Sequence, residues 1–314
     1  MNALAPATFG AALSAARDAA GAQHYPQATL YVVATPIGNL ADITLRALHV
    51  LQLVDVVACE DTRHTQGLLR ACGIDRPHAQ LLALHQHNEA EAAQSVVARL
   101  SHGERIAYVS DAGTPGVSDP GARLVAAVRE AGHRVLPLPG ASSVTTLLSA
   151  AGLVASGDES SAFVFAGFLP TKAGERDAAV EVLAGEPRSV VLLEAPHRIE
   201  ALARALSVLG ERRVTIGREL TKQFEEIATV LASELAAWFA AGRDRTRGEF
   251  ALVLHPVAVQ VDDGAASERV LRLLLKELPV KTAVKLAAEI TGAPRNALYE
   301  TALRLRDGDS NAES

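Results

Sequence analysis

A loop dense in glycine and proline is the segment of this sequence best suited to bind a ligand. It spans residues 110–121 (SDAGTPGVSDPG) and places three glycines and two prolines between a predicted strand and a predicted helix. Bare backbone of this kind lets a ligand approach closely at the carboxyl end of a sheet. A tight crossover turn is the alternative, but it needs far fewer glycines and prolines. We therefore predict a binding loop.

Three more loops follow predicted strands in the same half of the chain: residues 34–40 (ATPIGNL), 60–64 (EDTRH) and 136–143 (LPLPGASS). Ser142 and Ser143 either cap the helix that follows or hold polar groups of a ligand. The charged residues of EDTRH form either a surface ion-pair cluster or part of a site. Four such loops in one half of the chain favour a site.

In the second half, cationic side chains follow predicted strands. Residues 194–198 (EAPHR) and 218–222 (RELTK) end two strands, and residues 169–176 (LPTKAGER) add a basic turn. These cations suit phosphate contacts, and the alternative is ion pairing with neighbouring glutamates. Residues 85–89 (HQHNE) do not favour a metal site, because their two histidines point to opposite sides of an extended segment.

The elements that position these loops change character along the chain. Aliphatic runs at 30–34, 54–59, 105–109 and 134–138 alternate with helical patterns, which predicts a parallel α/β sheet. Later runs follow one another with short turns, which predicts a mixed sheet; they lie at 163–165, 189–193, 213–217, 225–230 and 250–254. Three helical segments end the chain, at 267–277, 281–290 and 294–305.

Four regions follow from these patterns. We predict a flexible leader over 1–28 with a frayed helix over 11–20, a first α/β domain over 29–152, a second α/β domain over 161–256 and a helical unit over 267–306. Within the helical unit, residues 283–303 have the apolar spacing and central glycine of a helix-turn-helix. A dimerisation or capping appendage is the alternative for this unit.

Composition excludes several classes of protein. The 314 residues carry a formal charge of −6, so any contact with nucleic acid must use local patches rather than a global positive field. Two cysteines are too few for a disulfide framework or a four-cysteine zinc site, which fits a reduced, cytoplasmic setting. No apolar run reaches the length of a membrane span. The motifs of P-loop enzymes, dinucleotide-binding dehydrogenases, zinc proteases and elbow-type hydrolases are absent.

Read in order, eight segments resemble the ribosomal small subunit methyltransferase I group of the tetrapyrrole-methylase superfamily. They are ATPIGNLADITLRAL, CEDTRHT, HQHNE, VSDAGTPGVSDPG, PLPGASS, GFLPTKAGER, LLEAPHRI and IGRELTKQFEEI. The resemblance covers about residues 30–254, and the C-terminal unit is similar to the accessory domain of such proteins. It implies two α/β domains of the tetrapyrrole-methylase type, commonly in a homodimer, that bind S-adenosylmethionine between them.

The implied activity is 2′-O-methylation of a cytidine in the decoding region of 16S ribosomal RNA. Carried over position by position, the resemblance also implies a set of cofactor-binding residues: Pro36, Ile37, Asp111, Thr114, Val117, Ser142, Ser143, Leu193 and Glu194. Many superfamily members have Gly-Asp-Pro where this chain has Ser110-Asp111-Ala112, which weakens a tetrapyrrole substrate rather than cofactor binding.

A ribose 2′-hydroxyl is a poor nucleophile at neutral pH, so we expect a base or a nearby cation to assist. The sequence does not order the catalytic candidates Glu60, Asp61, Arg63, Lys172, His197 and Glu219. Residues expected to contact RNA phosphate or ribose are Arg63, Lys172, Arg176, Arg198 and Lys222. An acidic chain with local basic loops favours an assembled small ribosomal subunit as substrate over free RNA.

Two other functions stay open from the sequence. One is S-adenosylmethionine-dependent C-methylation of a tetrapyrrole, which does not need a basic helical unit at the C-terminus. The other is a non-catalytic assembly protein that recognises nucleic acid through residues 283–303.

Overall fold

The structure, a computed structural model, describes residues 6–85, 88–117, 119, 121–154, 162–257 and 265–310. The chain divides into two compact units, Met1–Val257 and Ala258–Ser314. The first unit holds both predicted α/β domains. Their predicted division at 152–161 stays a prediction, because residues 155–161 lie outside the described residues.

The first sheet has five parallel strands in the order β3-β2-β4-β1-β5. The strands are β1 (Thr29–Val33), β2 (Val56–Cys59), β3 (Leu81–Ala83), β4 (Arg105–Val109) and β5 (Arg134–Leu138). The helices are α1 (Pro6–Ala20), α2 (Leu45–Leu53), α3 (Thr62–Ala71), α4 (Glu89–Ser101), α5 (Gly121–Glu130) and α6 (Ser143–Ala150). All four residues of β2 are buried, as expected for a parallel strand covered on both faces.

The second sheet is mixed, with the order β6-β7-β10-β8-β9. Its strands are β6 (Phe163–Gly167), β7 (Ser189–Glu194), β8 (Arg213–Arg218), β9 (Glu226–Leu231) and β10 (Phe250–Leu254). Only β6 and β7 pair in parallel, and the other pairs are antiparallel. The helices that follow its strands are α7 (Ala173–Ala184), α8 (Ile199–Leu206) and α9 (Leu235–Ala240). The predicted α/β class, with a parallel sheet followed by a mixed one, is confirmed.

The helix predicted over 11–20 is confirmed, but it begins five residues earlier, as helix α1 (Pro6–Ala20), and it is packed rather than frayed. Phe9, Ala16 and Ala20 are buried, and Phe9 and Ala16 belong to the core cluster of the first sheet. Apolar residues three to four positions apart give the helix one apolar stripe. Because most of that stripe is alanine, the pattern resembles a weak, frayed helix in the sequence.

Strand β3 is an element that the sequence did not predict. It has only three residues, and it pairs with β2 at the edge of the first sheet through Val57 and Leu81. Three residues are too few to show the alternation or the long apolar run that identifies a strand.

The second unit consists of α10 (Ala265–Leu275), α11 (Val280–Thr291) and α12 (Arg295–Ser310). A small apolar core that includes Leu271, Val284 and Leu298 holds the three helices together. Gly292 ends α11 in a left-handed conformation with φ 73°, and α12 begins three residues later. Among the described helices, none is both long and apolar enough to cross a membrane.

The two cysteines generate a test of the first core. Cys59 and Cys72 are free thiols with no exposed surface, and burial raises the pKa of each to about 11. Since only the thiolate is nucleophilic, we expect neither to react with Ellman's reagent in the folded protein at about pH 8. Both should titrate after guanidinium unfolding. Rapid labelling of either thiol in the folded protein would contradict this packing.

Candidate functional site

The loops after β1 and β4 are joined through their backbones at the carboxyl edge of the first sheet. The amide of Thr35 donates to the carbonyl oxygen of Gly113 at 2.9 Å, and the amide of Gly113 donates back to Thr35 at 3.1 Å. Gly113 has φ 84°, and a Cβ there would lie 3.2 Å from Ile37 Cγ2. A side chain at this position would therefore be both strained and crowded.

The loop after β5 joins the same surface. The hydroxyl of Thr114 donates to the carbonyl oxygen of Ala141 at 2.9 Å. A Cβ on Gly140 would lie 2.7 Å from Ala34 Cβ, so the backbones of these loops approach more closely than side chains would allow. Three of the four predicted binding loops thus form one continuous surface of largely bare backbone.

Asp119 organises the loop of residues 110–121, called the long loop below. Its role was not predicted from the sequence. Its carboxylate accepts hydrogen bonds from the amides of Gly116 at 2.6 Å, Val117 at 3.1 Å and Gly121 at 2.8 Å, and from the hydroxyl of Tyr108 at 2.9 Å. The available signal was an aspartate two residues before a helix, a position from which its side chain can bond the nearby backbone. Ser118 and Pro120 lie outside the described residues.

Ser142 is the residue immediately before α6, but its side chain makes no capping hydrogen bond in the described chain. The capping role considered for Ser142 is therefore not the one observed. Its neighbour Ser143 is the first residue of α6. The Ser142 hydroxyl stands at the end of the loop that Thr114 contacts, where it can serve a ligand.

Three carboxylates meet where β2 and β4 end. The amide of Asp111 donates to Glu60 Oε1 at 3.3 Å, and the amide of Asp61 donates to Asp111 Oδ1 at 3.3 Å. These bonds join the EDTRH loop to the long loop, so all four predicted loops are brought together.

The pKa values of two adjacent carboxyls in this group, Glu60 and Asp61, are shifted in opposite directions. Burial of Glu60, reinforced by the negative charge of Asp111, raises the pKa of its carboxyl. The backbone amides of Arg63 and His64 donate to Asp61 and lower the pKa of that carboxyl. Asp61 therefore serves as the cap of α3, whereas Glu60 is the carboxyl of this group whose pKa is raised.

The edge of the second sheet that contains the ends of β6, β7 and β8 meets these loops. Phe250, at the start of β10, pairs with Glu194 at the end of β7 and with Arg218 at the end of β8. Ile37 from the first loop packs in one apolar cluster with Leu193 of β7. The edges of the two sheets therefore face each other across the site.

The turn between β8 and β9 holds Glu219 and Lys222, one a predicted catalytic residue and the other a predicted RNA contact. Lys222 Nζ donates to Glu219 Oε1 at 2.8 Å and to Glu249 Oε2 at 2.9 Å. Burial alone would raise the pKa of Glu219, but the bonds that its carboxylate accepts from Lys222 and, at 2.9 Å, from the amide of Glu249 outweigh burial and lower that pKa. Glu219 and Thr221 have φ of 52° and 67°, which is strained for residues with side chains. The Thr221 hydroxyl accepts from the amide of Asn39 at 3.1 Å.

Arg176, Glu194 and Arg198 come together around the loop after β6. Arg198 donates to the Thr171 hydroxyl at 3.2 Å and to the carbonyl oxygen of Leu169, and its Nε lies 3.1 Å from Glu194 Oε1. Arg176 donates to the carbonyl oxygen of Thr171 at 3.2 Å. Glu194 is buried, and its Oε2 has no hydrogen-bond partner in the described part of the protein. The two arginines that were predicted to bind RNA thus hold the chain's own backbone.

The remaining predicted residues lie on the surface of the same loops. Arg63 and His197 are exposed, and Pro36 is half-buried. Lys172 pairs with Glu175 at 2.9 Å, and both side chains are largely exposed. Of the HQHNE segment, Gln86 and His87 lie outside the described residues. No cluster of three or more metal-ligating side chains is found among the residues that the structure describes.

A cleft of about 600 Å³ lies at the opposite edge of the first sheet, before β2 and β4. Its wall includes Arg76, whose guanidinium donates to carbonyl oxygens at the end of α2, including that of Leu51 at 3.0 Å. Because this arginine closes the end of a helix, we attribute the cleft to the packing of the fold rather than to a site.

Two family models match the chain. The model described as Tetrapyrrole (Corrin/Porphyrin) Methylases matches residues 29–236, and the model described as RsmI C-terminal HTH domain matches residues 261–306. A solved structure of a cobalamin biosynthetic enzyme, cobalt precorrin-4 methyltransferase, has a TM-score of 0.53 and 17% identity, covering 72% of this chain and 94% of that one. At that identity the likeness shows the fold alone.

Relatives of known name are much more similar in sequence. A protein of Escherichia coli O157:H7 is 49% identical over 280 residues, which is 88% of this chain and 95% of that protein. One of Pseudomonas aeruginosa is 48% identical over 287 residues, which is 90% of this chain and 99% of that protein. Both are named ribosomal RNA small subunit methyltransferase I. This chain therefore belongs to the ribosomal RNA small subunit methyltransferase I family, within the tetrapyrrole methylases.

Proposed function

We propose that this protein transfers a methyl group from S-adenosylmethionine to the 2′-hydroxyl of a cytidine in the decoding region of 16S ribosomal RNA. The observation that carries the proposal is 49% identity to a protein named ribosomal RNA small subunit methyltransferase I, in an alignment that covers 95% of that protein. The cobalt precorrin-4 enzyme shares only 17% identity, which favours an RNA substrate over a tetrapyrrole.

The residues of the site fit the cofactor. The bare backbone at Gly113 and the Ser142 hydroxyl, which makes no capping hydrogen bond, suit the polar groups of the cofactor. The side chains of Ile37 and Leu193 offer contact to its apolar parts. We assign its binding to these and to the other cofactor residues named from the sequence: Pro36, Asp111, Thr114, Val117, Ser143 and Glu194. The cofactor supplies a methyl group on a sulfonium, which a nucleophile attacks in line.

Glu60 is the general base in this proposal. Its Oε1 accepts the amide of Asp111, and this bond holds the carboxyl while Oε2 takes the proton of the ribose hydroxyl. The raised pKa makes the carboxylate a stronger base than an exposed glutamate. Arg63, exposed in the first turn of α3 three residues after Glu60, is assigned a phosphate contact.

The proposal extends to the setting of the reaction. We assign the protein to the cytoplasm as a homodimer that acts on the assembled small subunit. Phe163 and Phe165 of edge strand β6 remain exposed beside the second sheet's core. Exposed apolar side chains on an edge strand favour pairing with another copy.

Radiolabelled S-adenosylmethionine tests the proposed function. We expect label in small ribosomal subunits that lack the modification, at one cytidine whose sugar then resists alkaline cleavage. Free 16S RNA should be labelled more slowly. Label in a porphyrinogen substrate, or equal rates on free RNA and assembled subunits, would contradict the corresponding part of the proposal.

Removing the Asp119 carboxylate should weaken cofactor binding. Asp119→Ala removes four hydrogen bonds that shape the long loop. Since bonds to a charged group each contribute roughly 1.5–3 kcal/mol, we expect the Kd for S-adenosylhomocysteine to rise about tenfold or more in calorimetry. The matched control is Asp177→Ala on the exposed face of α7. An unchanged Kd in Asp119→Ala would show that the loop does not bind the cofactor.

The pH profile tests Glu60. A base acts in its deprotonated form, so kcat of the wild type should rise with pH through the raised pKa of Glu60 and then level off. Glu60→Gln should remove this rise and lower kcat by roughly 10²–10⁴-fold. Glu91→Gln, an exposed carboxyl on α4, is the control. A profile that keeps its acidic limb in Glu60→Gln would assign the base to another group.

A further inference from the structure

The loop between β6 and α7, residues 168–172, is held by more polar contacts than a short connection needs. Arg198 bonds the Leu169 carbonyl oxygen and the Thr171 hydroxyl, and Arg176 bonds the Thr171 carbonyl oxygen. Leu169 is itself buried. Glu194, buried beside Arg198, holds that guanidinium in place. Two arginines and an apolar anchor therefore fix the backbone of this loop.

The same rigid loop exposes an aromatic ring. Phe168 is 50% exposed, whereas Phe239 and Phe250 of the same sheet domain are buried. The side chain of Lys172 is 81% exposed, and its ion pair with the exposed Glu175 is of a kind that contributes little in water. The loop thus presents the ring of Phe168 beside the ammonium group of Lys172, which can leave Glu175 for another anion. Rigid scaffolds that carry exposed side chains on loops are typical of binding surfaces.

The topology places this loop beside the proposed site. β6 runs parallel to its neighbour β7, so the loop lies at the edge where β7 ends. Leu193, at that end of β7, and Ile37, from the loop of residues 34–40, pack against the same apolar cluster. Phe168 is therefore one strand away from the residues assigned to the cofactor.

We propose that Phe168 stacks on an unpaired base of the substrate RNA, with Lys172 on a neighbouring phosphate. The inference rests on the proposed function and adds how the RNA strand is held. Single-stranded RNA fits this surface because proteins hold splayed bases on aromatic rings and track the backbone with cations. Arg176 and Arg198 are then positioning residues that hold the loop, not contacts to the RNA.

A second copy of the chain is the other possible occupant of this surface. The centres of dimer interfaces are depleted in lysine and other charged residues. Lys172 and His197 are both exposed on loops at this edge, which favours a polyanion over another copy. Phe163 and Phe165, by contrast, belong to the strand itself.

The kinetics of methyl transfer to unmethylated small subunits test the proposal. Phe168→Leu keeps an apolar side chain but removes the ring face, so we expect KM for the subunit to rise about 5- to 100-fold. The kcat, the Kd for S-adenosylhomocysteine and Tm should stay near wild type, because the lost contact is the same in ground and transition states. Phe168→Trp keeps an aromatic face, so its KM should stay near that of the wild type. The matched control is Phe224→Leu, a ring that is 69% exposed in the turn between β8 and β9.

The salt dependence of KM distinguishes a direct phosphate contact by Lys172 from the positioning role of Arg176. Lys172→Gln should lower the slope of log KM against log salt by about 0.7, the value for one phosphate contact in a single strand. Arg176→Gln should raise KM but leave this slope unchanged, because Arg176 acts through the loop. A reduced slope in Arg176→Gln would make that residue a direct RNA contact and overturn its positioning role.

Three results would overturn the stacking of Phe168: a wild-type KM in Phe168→Leu, an equal loss in Phe224→Leu, or dissociation of a dimer by Phe168→Leu in sedimentation. If the wild type methylates no RNA at all, the proposed function fails separately. Fluorescence anisotropy with a labelled, unstructured single-stranded RNA then decides the inference. Weaker binding by Phe168→Leu than by Phe224→Leu supports it, and equal binding overturns it.

Discussion

The packing of helix α6 against the second sheet is the contact on which the positions of the site loops depend. Leu147 of α6 is fully buried against the second sheet, where a Cβ on Gly217 would lie only 2.8 Å from its Cδ1. The helix therefore reaches the sheet because β8 has no side chain at that position. Burial of a leucine contributes roughly 1.5–3 kcal/mol, and Ile37 and Leu193 extend the same cluster to the loops proposed to bind the cofactor.

This packing also explains why strain is tolerated in the turn between β8 and β9. Left-handed conformations at Glu219 and Thr221 persist only where the surroundings determine them strongly. Here Leu220 lies between them in the apolar cluster, and the Thr221 hydroxyl is bonded to Asn39 in the first loop. The turn thus connects the second sheet to the loop of residues 34–40, and a regular hairpin turn would not offer these contacts together.

The sequence located the loops of the site better than it located the roles of their side chains. Glycine and proline density is a local property, and it predicted the loops around Gly113 and Gly140 correctly. The roles of Glu60 and Asp61 depend on which carboxyl is buried and which receives backbone amides, and both are set by the fold. The partners of Arg198 are a carbonyl oxygen and a hydroxyl about thirty residues earlier in the chain, which no local pattern identifies. The packing of α1 against the first core was not predicted for a different reason, since small residues give little contrast between the faces of a helix.

The arginines resolve the apparent conflict between an acidic chain and an RNA substrate. Arg76, Arg198 and Arg212 direct their guanidinium groups to carbonyl oxygens of this chain. Such groups close helix ends and fix loops, and they are not available to phosphates. The positive charge that an RNA strand would meet is therefore smaller than the 30 lysines and arginines of the sequence suggest. In the proposed reaction little affinity therefore comes from counterion release, and more must come from shape and from the proposed base stacking. Shape is a property of folded RNA, which a ribosomal subunit offers and a free strand does not, and this is the physical argument for the proposed substrate.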